Sequence, residues 1–242
     1  MSDDFSVSDA PPPYGTVVFD CDSTLSAIEG ICELAGADHI EELARLTDQA
    51  MDGTTPLEEV FGRRLELVRP SRERVAEIGE RYVANLLPGV PELVRALRHL
   101  GKRLAIVSGG LLPAVARVGQ HLGIDEVYAV DVCFGPDGAY ADFDRSSPLA
   151  RTGGKPHVVR GIASAPEAGP VVLVGDGVTD LEAAPFLARF VAFGGVERRE
   201  AVFRAALITW DRPDFRGLAP LLISPGEIET LRSHAEHAEL FA

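Results

Sequence analysis

The chain has 242 residues, 46% of them hydrophobic, and a formal net charge of -14 at pH 7. That length can bury a sizeable core, either as one large domain or as one core carrying an inserted unit. The acidic balance disfavours nucleic acid and anionic membranes as partners, since both are polyanions, and an anionic substrate would have to be met by cations held within the site.

Residues 1–13 are acidic and proline-rich, lack the basic and apolar regions of a signal peptide, and are expected to form a disordered tail. The apolar run Val17-Val18-Phe19 then leads into Asp20-Cys21-Asp22-Ser23-Thr24, which predicts a buried parallel strand over 17–20 whose carboxyl end opens a site. Helical patterns follow over 27–34, 41–51, 56–68 and 72–85 with no strand-like run among them, so an inserted helical unit is expected, closing near Pro88-Gly89. A helix over 91–100 carries proline near its first turn, where the missing N–H costs little. A strand over 103–107 ends at Ser108-Gly109-Gly110, and a helix over 111–122 is capped by Gly123. Segments 127–134 and 139–143 flank Gly135-Pro136-Asp137-Gly138, a hairpin signal. A strand over 171–174 ends at Gly175-Asp176-Gly177, shorter strands are expected over 190–193 and 206–208, and a last helix over 225–240.

The alternation of strand and helix predicts an α/β fold: a Rossmann-like, doubly wound, mostly parallel sheet with an inserted helical cap. The expected division is a tail (1–13), a core (14–25 and 87–222), a cap (26–86) and a C-terminal helical extension (223–242). No apolar run approaches the ~20 residues that span a bilayer. Three well-separated cysteines, Cys21, Cys32 and Cys133, argue against a disulfide framework and fit a reducing cytoplasm.

Ligands of such sheets sit beyond the carboxyl ends of the strands. Three predicted strand ends carry polar groups: Asp20/Asp22, Ser108/Gly109/Gly110 and Asp176/Asp180, while Lys155 follows Gly153-Gly154 in a loop opening a helix. Crowded carboxylates repel unless a cation or a reaction needs them; one can be a nucleophile and the other a proton donor, with a divalent metal neutralising the pair. Taken singly, each group also has a plainer reading. Asp-x-Asp can be turn chemistry, Ser108 a helix N-cap, Gly175-Asp176-Gly177 a tight turn, and Asp180 a screen for a helix N-terminus. Their joint occurrence in this order favours a site. Cys21 reads as a small packed residue. The six histidines show no metal-ligand spacing, and His39, His99 and His121 read as capping or solvated groups.

The order Asp20-x-Asp22, Ser108-Gly109-Gly110, Lys155, Gly175-Asp176-Gly177-x-x-Asp180 resembles the haloacid dehalogenase superfamily. Within it, the chain is similar to the phosphoserine phosphatase family. Four stretches carry that likeness: Glu29-Gly30 with Glu33-Leu34-Ala35, Ala50-Met51-x-Gly53 with Arg64-Leu65-x-Leu67-Val68-x-Pro70-Ser71, Gly138-x-Tyr140 ahead of Lys155, and Phe193-Gly194-Gly195. The resemblance runs from about Tyr14 to Leu222.

It implies hydrolysis of O-phospho-L-serine to L-serine and phosphate through an aspartyl-phosphate, the last step of serine biosynthesis. Asp20 would be the nucleophile and Asp22 the acid and then the base. Mg²⁺ would be held by the Asp20 carboxylate, the Asp22 backbone carbonyl and Asp176, with Asp180 orienting from behind. Ser108, Gly109, Gly110 and Lys155 would bind the phosphoryl group. Glu29 would pair with the substrate ammonium, Arg64 with its carboxylate, Met51 would cover the site and Thr179 would line it. The implied partner is a small phosphomonoester, with no nucleic acid and no membrane, and self-association as a homodimer is left open. Departures from the family's pattern are Asp52 after Met51, Val196 after Gly194-Gly195, and Ser26-Ala27-Ile28 before Glu29. They bear on substrate choice, so a same-fold phosphatase or phosphotransferase for another small phosphomonoester is the alternative. A catalytically silent binding protein is disfavoured by the complete set Asp20, Asp22, Lys155 and Asp176.

Overall fold

The computed structural model describes residues 12–35 and 39–241. Apart from Pro12 and Pro13, both exposed, the expected tail lies outside the described residues. The strands are β1 (Thr16–Phe19), β2 (Arg103–Leu111), β3 (Glu126–Val130), β4 (Val132–Phe134), β5 (Tyr140–Phe143), β6 (Val171–Gly175), β7 (Arg189–Phe193) and β8 (Ile208–Trp210). The helices are α1 (Gly30–Glu33), α2 (Ile40–Met51), α3 (Leu57–Val68), α4 (Arg72–Ala84), α5 (Val90–His99), α6 (Leu112–Leu122), α7 (Gly154–Ala163), α8 (Val178–Leu181), α9 (Glu200–Ala205), α10 (Ala219–Leu222) and α11 (Pro225–Arg232).

Among the described residues, six strands form a parallel sheet in the order β3-β2-β1-β6-β7-β8. The order reverses at β1, which pairs with β2 on one side and β6 on the other, so the carboxyl end of β1 faces the crevice where such sheets bind ligands. Val17, Val18, Phe19 and all of Val171–Gly175 are buried, as expected of central strands covered by helices on both faces. This is the doubly wound α/β architecture expected from the sequence.

The helices α1–α4 lie between β1 and α5. The chain leaves the sheet and returns to it along two antiparallel linkers: Ser26 bridges Leu86, the Ala27 N–H donates to Asn85 O at 2.9 Å, and the Leu87 N–H donates to Leu25 O at 3.0 Å. The chain bends at Ala27 and Ile28 beside these bonds and is extended at Glu29, so α1 starts at Gly30 rather than near Ala27.

Four other local expectations change. The strand expected over 127–134 breaks at Asp131, whose carboxylate accepts from the Val132 N–H at 2.9 Å. The bend sends β3 to the edge of the main sheet and β4 into a separate antiparallel pair with β5. Strand β2 runs on through Ser108, Gly109 and Gly110 to Leu111, so the two glycines extend a strand instead of opening a helix. Lys155 sits in the first turn of α7 and is buried, not in a flexible loop. The helix expected over 225–240 stops at Arg232, where the Ser233 hydroxyl donates to Thr230 O at 2.6 Å, and resumes as a 3-10 turn over Ala235–Phe241.

All three cysteines are free, and Cys21 is fully buried. Among the described residues no helix is long and apolar enough to cross a membrane.

Candidate active site

The site starts where β1 ends. Asp20 is buried, and its N–H is tied to Val174 O on β6 at 3.0 Å, which aims its carboxylate across the carboxyl edge of the sheet. The next residues form a tight turn over Cys21–Leu25, in which Ser23 adopts φ 50° and ψ 10°. A serine in this left-handed region is strained, and such strain collects at functional sites. It sets the Ser23 hydroxyl to donate to Glu29 Oε1 at 2.8 Å.

Asp22 is held on three sides. Its Oδ1 accepts from the Gly30 N–H at 2.7 Å and from the Tyr82 hydroxyl, and its Oδ2 accepts from the Ser108 hydroxyl at 3.1 Å. Gly30 is required here for close approach, since a Cβ on it would fall 2.0 Å from the Tyr82 oxygen. The same Ser108 oxygen accepts from the Gly110 N–H at 2.9 Å. Ser108 therefore serves Asp22 and the backbone of its own strand end in this state, while Gly109 and Gly110 line the cavity.

Lys155 reaches in from α7. Its Nζ lies 2.9 Å from Asp20 Oδ1 and 2.7 Å from Asp180 Oδ1. Burial lowers the ammonium's pKa, but Asp180 and Asp20 outweigh it and hold the pKa well above its ordinary value, so Lys155 stays charged. Asp180 Oδ2 accepts from the Gly177 N–H at 3.1 Å, so both Asp180 oxygens are engaged. A Cβ on Gly175 would stand 2.3 Å from the Asp180 carboxyl carbon, and only glycine admits it there. Asp176, at the end of β6, accepts from Thr24 Oγ1 at 3.3 Å and from Arg199 Nε at 3.0 Å.

Burial pushes the Asp20 carboxyl up to about 7, against the pull of Lys155. Burial pushes Asp176 up to about 7 as well, with Asp20 adding to it and Arg199 opposing it. Burial likewise raises Asp180. Candidate ligand oxygens of Asp20, Asp176 and Asp180 lie within 4.8 Å of one another. Buried carboxylates this close ionise together only beside further positive charge, and an all-oxygen donor set suits a hard divalent cation. The Asp20 Oδ1 atom is buried and faces the Lys155 ammonium at 2.9 Å, so in this state the lysine supplies the positive charge next to it.

Over these acids lie side chains from α1–α4 and the linker before them. Glu29, Met51 and Arg64 line the same cavity as Asp20, Asp22, Lys155, Asp176 and Thr179. Arg64 is buried; its Nη1 donates to Thr47 Oγ1 at 3.1 Å and its Nε has no hydrogen-bond partner. Burial pushes the Glu29 carboxyl well up, with Asp22 and Asp176 adding to the shift. Thr179 Oγ1 is also buried without a partner. Met51 Sδ stands 3.2 Å from where a Cβ on Gly177 would be, closing the cavity from above. The free volume inside is about 30 Å³, room for a water or two.

The structure thus brings together every residue expected at the site, although Ser108 and Asp180 support others rather than face the cavity. Sequence reasoning missed Tyr82 and Ser23, which position Asp22 and Glu29, and Arg151, a cation on the cavity wall. It also missed Arg199, whose Nη1 lies 3.5 Å from both Asp48 and Asp52 while its Nε holds Asp176. Asp52 therefore turns outward toward Arg199 rather than into the phosphate-binding space. The one available signal was charge: Arg199 is an arginine shortly after an otherwise apolar strand end.

Residues 17–185 match the haloacid dehalogenase-like hydrolase family. The chain belongs to this family. The buried cluster of Asp20, Asp176 and Asp180 could hold a metal ion. Among haloacid dehalogenase-like proteins, phosphoserine phosphatase of Bos taurus is 38% identical over 189 residues, 77% of this chain and 84% of the relative. The chloroplastic phosphoserine phosphatase of Arabidopsis thaliana is 38% identical over 201 residues, 80% of this chain and 67% of the relative. A substrate-bound phosphoserine phosphatase structure superposes with a TM-score of 0.76 at 25% identity, covering 88% of this chain and all 100% of that one. A phospho-aspartyl intermediate analogue of phosphoserine phosphatase gives 0.75 at 26% identity, covering 87% and 100%.

Proposed function

We infer that this chain is a Mg²⁺-dependent phosphatase that hydrolyses O-phospho-L-serine to L-serine and phosphate, at the end of serine biosynthesis. The observation that carries the reading is one small cavity lined both by Asp20, Lys155 and Asp176 and by Glu29 and Arg64. The first group suits a phosphoryl centre. The second offers an acid for an ammonium and a guanidinium for a carboxylate, the two charges that distinguish phosphoserine from a plain phosphomonoester. Likeness to phosphoserine phosphatases over most of the chain supports the same substrate.

An Asp20 oxygen attacks phosphorus, and the bond from phosphorus to the serine oxygen breaks. Asp22, held by Gly30, Tyr82 and Ser108, gives the departing oxygen its proton. Water then attacks the aspartyl-phosphate, Asp22 takes the water's proton, and the bond from phosphorus to Asp20 breaks to release phosphate. Lys155 holds phosphoryl oxygens and favours the ionised form of Asp20 against the effect of burial, while Asp180 fixes the ammonium from behind. Asp20, the Asp22 backbone carbonyl and Asp176 would hold Mg²⁺, which supplies charge neutralisation to the phosphoryl oxygens. In this reading α1–α4 form a cap. The cavity is tight, at about 30 Å³, and the cap would open on the Ser26/Leu86 linkers to let substrate in and close to exclude water.

The test is phosphate release by the purified chain from phosphoserine, phosphothreonine, phosphoethanolamine and histidinol phosphate, with and without Mg²⁺. Phosphoserine should be preferred and Mg²⁺ required. Equal turnover of all four would reject the substrate assignment while leaving the phosphatase chemistry in place.

A further inference from the structure

The end of the chain plays no part in the site above, yet it gathers an unusual set of side chains. His99 ends α5. His234 follows α11, and Glu236 and His237 sit in the terminal turn over Ala235–Phe241. The fold packs their rings edge to face: centroids of His99 and His234 are 4.6 Å apart, those of His99 and His237 4.7 Å, and those of His234 and His237 6.3 Å. Ligand-capable atoms of His99, His234 and Glu236 all lie within 4.8 Å of one another. Glu236 Oε1 is the centre of the group, 3.3 Å from His99 Nδ1 and 3.4 Å from His237 Nε2.

His237 makes this more than a chance surface cluster. Its side chain is 2% exposed, and its Nε2 makes no properly directed hydrogen bond. A buried imidazole nitrogen left in that state is rare without water or an ion to complete it. Burial lowers its pKa, with His99, His234 and Arg95 on α5 adding to the shift and Glu236 opposing it, which favours the neutral ring. Three imidazoles packed this closely cannot all be protonated without mutual repulsion, whereas neutral rings beside a carboxylate form a nitrogen-rich donor set.

We propose that His99, His234 and Glu236, with His237 packed against Glu236, form a second metal site for a borderline divalent transition ion of the Zn²⁺ class, distinct from the oxygen-only cluster at Asp20, Asp176 and Asp180. Imidazole and carboxylate ligation selects such ions over Mg²⁺, which demands oxygen donors. The helix α5 leads into the amino-terminal end of β2, so this site lies at the opposite edge of the sheet from the cavity. The ion is a staple: it ties the terminal segment, which α11 delivers, to α5 in the core. The i, i+3 spacing of His234 and His237 is the one trace of it in the sequence, and the partner His99 comes from 135 residues earlier in the chain.

The test uses the full, untagged chain with Mg²⁺ in excess to occupy the acidic cluster. Co²⁺ serves as an optical probe and Zn²⁺ as competitor, with thermal melting as a second readout. One Co²⁺ per chain should give visible absorption of a nitrogen-ligated site, displaced by Zn²⁺, and Zn²⁺ should raise the melting temperature. His234→Ala, at an exposed position, should weaken Zn²⁺ at least about tenfold and abolish the melting shift without altering the fold by circular dichroism. His99→Gln should do the same, while phosphatase activity in Mg²⁺ is unchanged in both. Unaltered Co²⁺ spectra and Zn²⁺ affinity in His234→Ala, or Zn²⁺ binding lost only in Asp176→Asn, would overturn the proposal.

Discussion

Lowering pH should strip Mg²⁺ from the acidic cluster well before it unfolds the protein. Asp20 and Asp176 both titrate at about 7 without metal, because burial opposes their charge. Protons and Mg²⁺ then compete for the same oxygens. For a group with a pKa of about 7, the ionised fraction falls from roughly nine-tenths at pH 8 to roughly one-tenth at pH 6. Affinity therefore drops about tenfold over this interval if one carboxylate must ionise, and about a hundredfold if both must. Each tenfold loss is about 1.4 kcal/mol. The stability of the metal-free protein moves the other way. Unfolded Asp titrates near 3.8, so between about 4 and 7 the folded state binds more protons than the unfolded one, and stability falls as pH rises through that window. Calorimetric titration with Mg²⁺ at pH 6 and 8, in buffers of different ionisation enthalpy, measures both affinity and proton release. Equal affinities at the two pH values, or no proton released at pH 6, would refute the claim that burial of these two acids governs metal binding.

Other substitutions separate the roles. Asp20→Asn should cut turnover by at least about 10⁴-fold while leaving circular dichroism and cooperative unfolding intact; residual turnover near wild type would remove Asp20 as nucleophile. Arg64→Ala should lower kcat/KM for phosphoserine by about 1.5–3 kcal/mol, the worth of a hydrogen bond to a charged group, and should barely change hydrolysis of an aryl phosphate. Equal losses on both substrates would point to a disturbed cap. Lys155→Met leaves Asp20 and Asp180 buried without their shared cation and should destabilise the metal-free protein by about 3–5 kcal/mol in urea unfolding at pH 8. A change under about 1 kcal/mol would show that the carboxylates find other partners.

Much of the site was legible because its residues sit at strand ends. In a parallel sheet, topology alone gathers Asp20, Ser108 and Asp176 at one edge, and an apolar run such as Val17-Val18-Phe19 announces where that edge is. The groups that position them were not legible. Tyr82 meets Asp22 only because α4 folds back over the turn, and Arg199 meets Asp176 only after β7 places the following loop beside β6. Tyr82 carries no local pattern that marks it, and the charge of Arg199 after the apolar run of β7 does not by itself say which acid it meets. The errors at β3/β4 and at the terminal helix share a cause: Asp131 and Ser233 satisfy backbone groups with their own side chains, and this competes with the propensity of the flanking residues. The histidine cluster left only the i, i+3 spacing of His234 and His237 as a trace, because His99 belongs to another helix far away in the chain.

The central claim is that Asp20 carries the phosphoryl group during turnover of phosphoserine. Rapid acid quench of the enzyme with phosphoserine labelled at phosphorus, followed by digestion and mass spectrometry, tests it directly. The label should appear on the peptide containing Asp20, vanish with the release of phosphate, and be absent in Asp20→Asn. Release of phosphate with no protein-bound label at any time, or label on another residue, would contradict it.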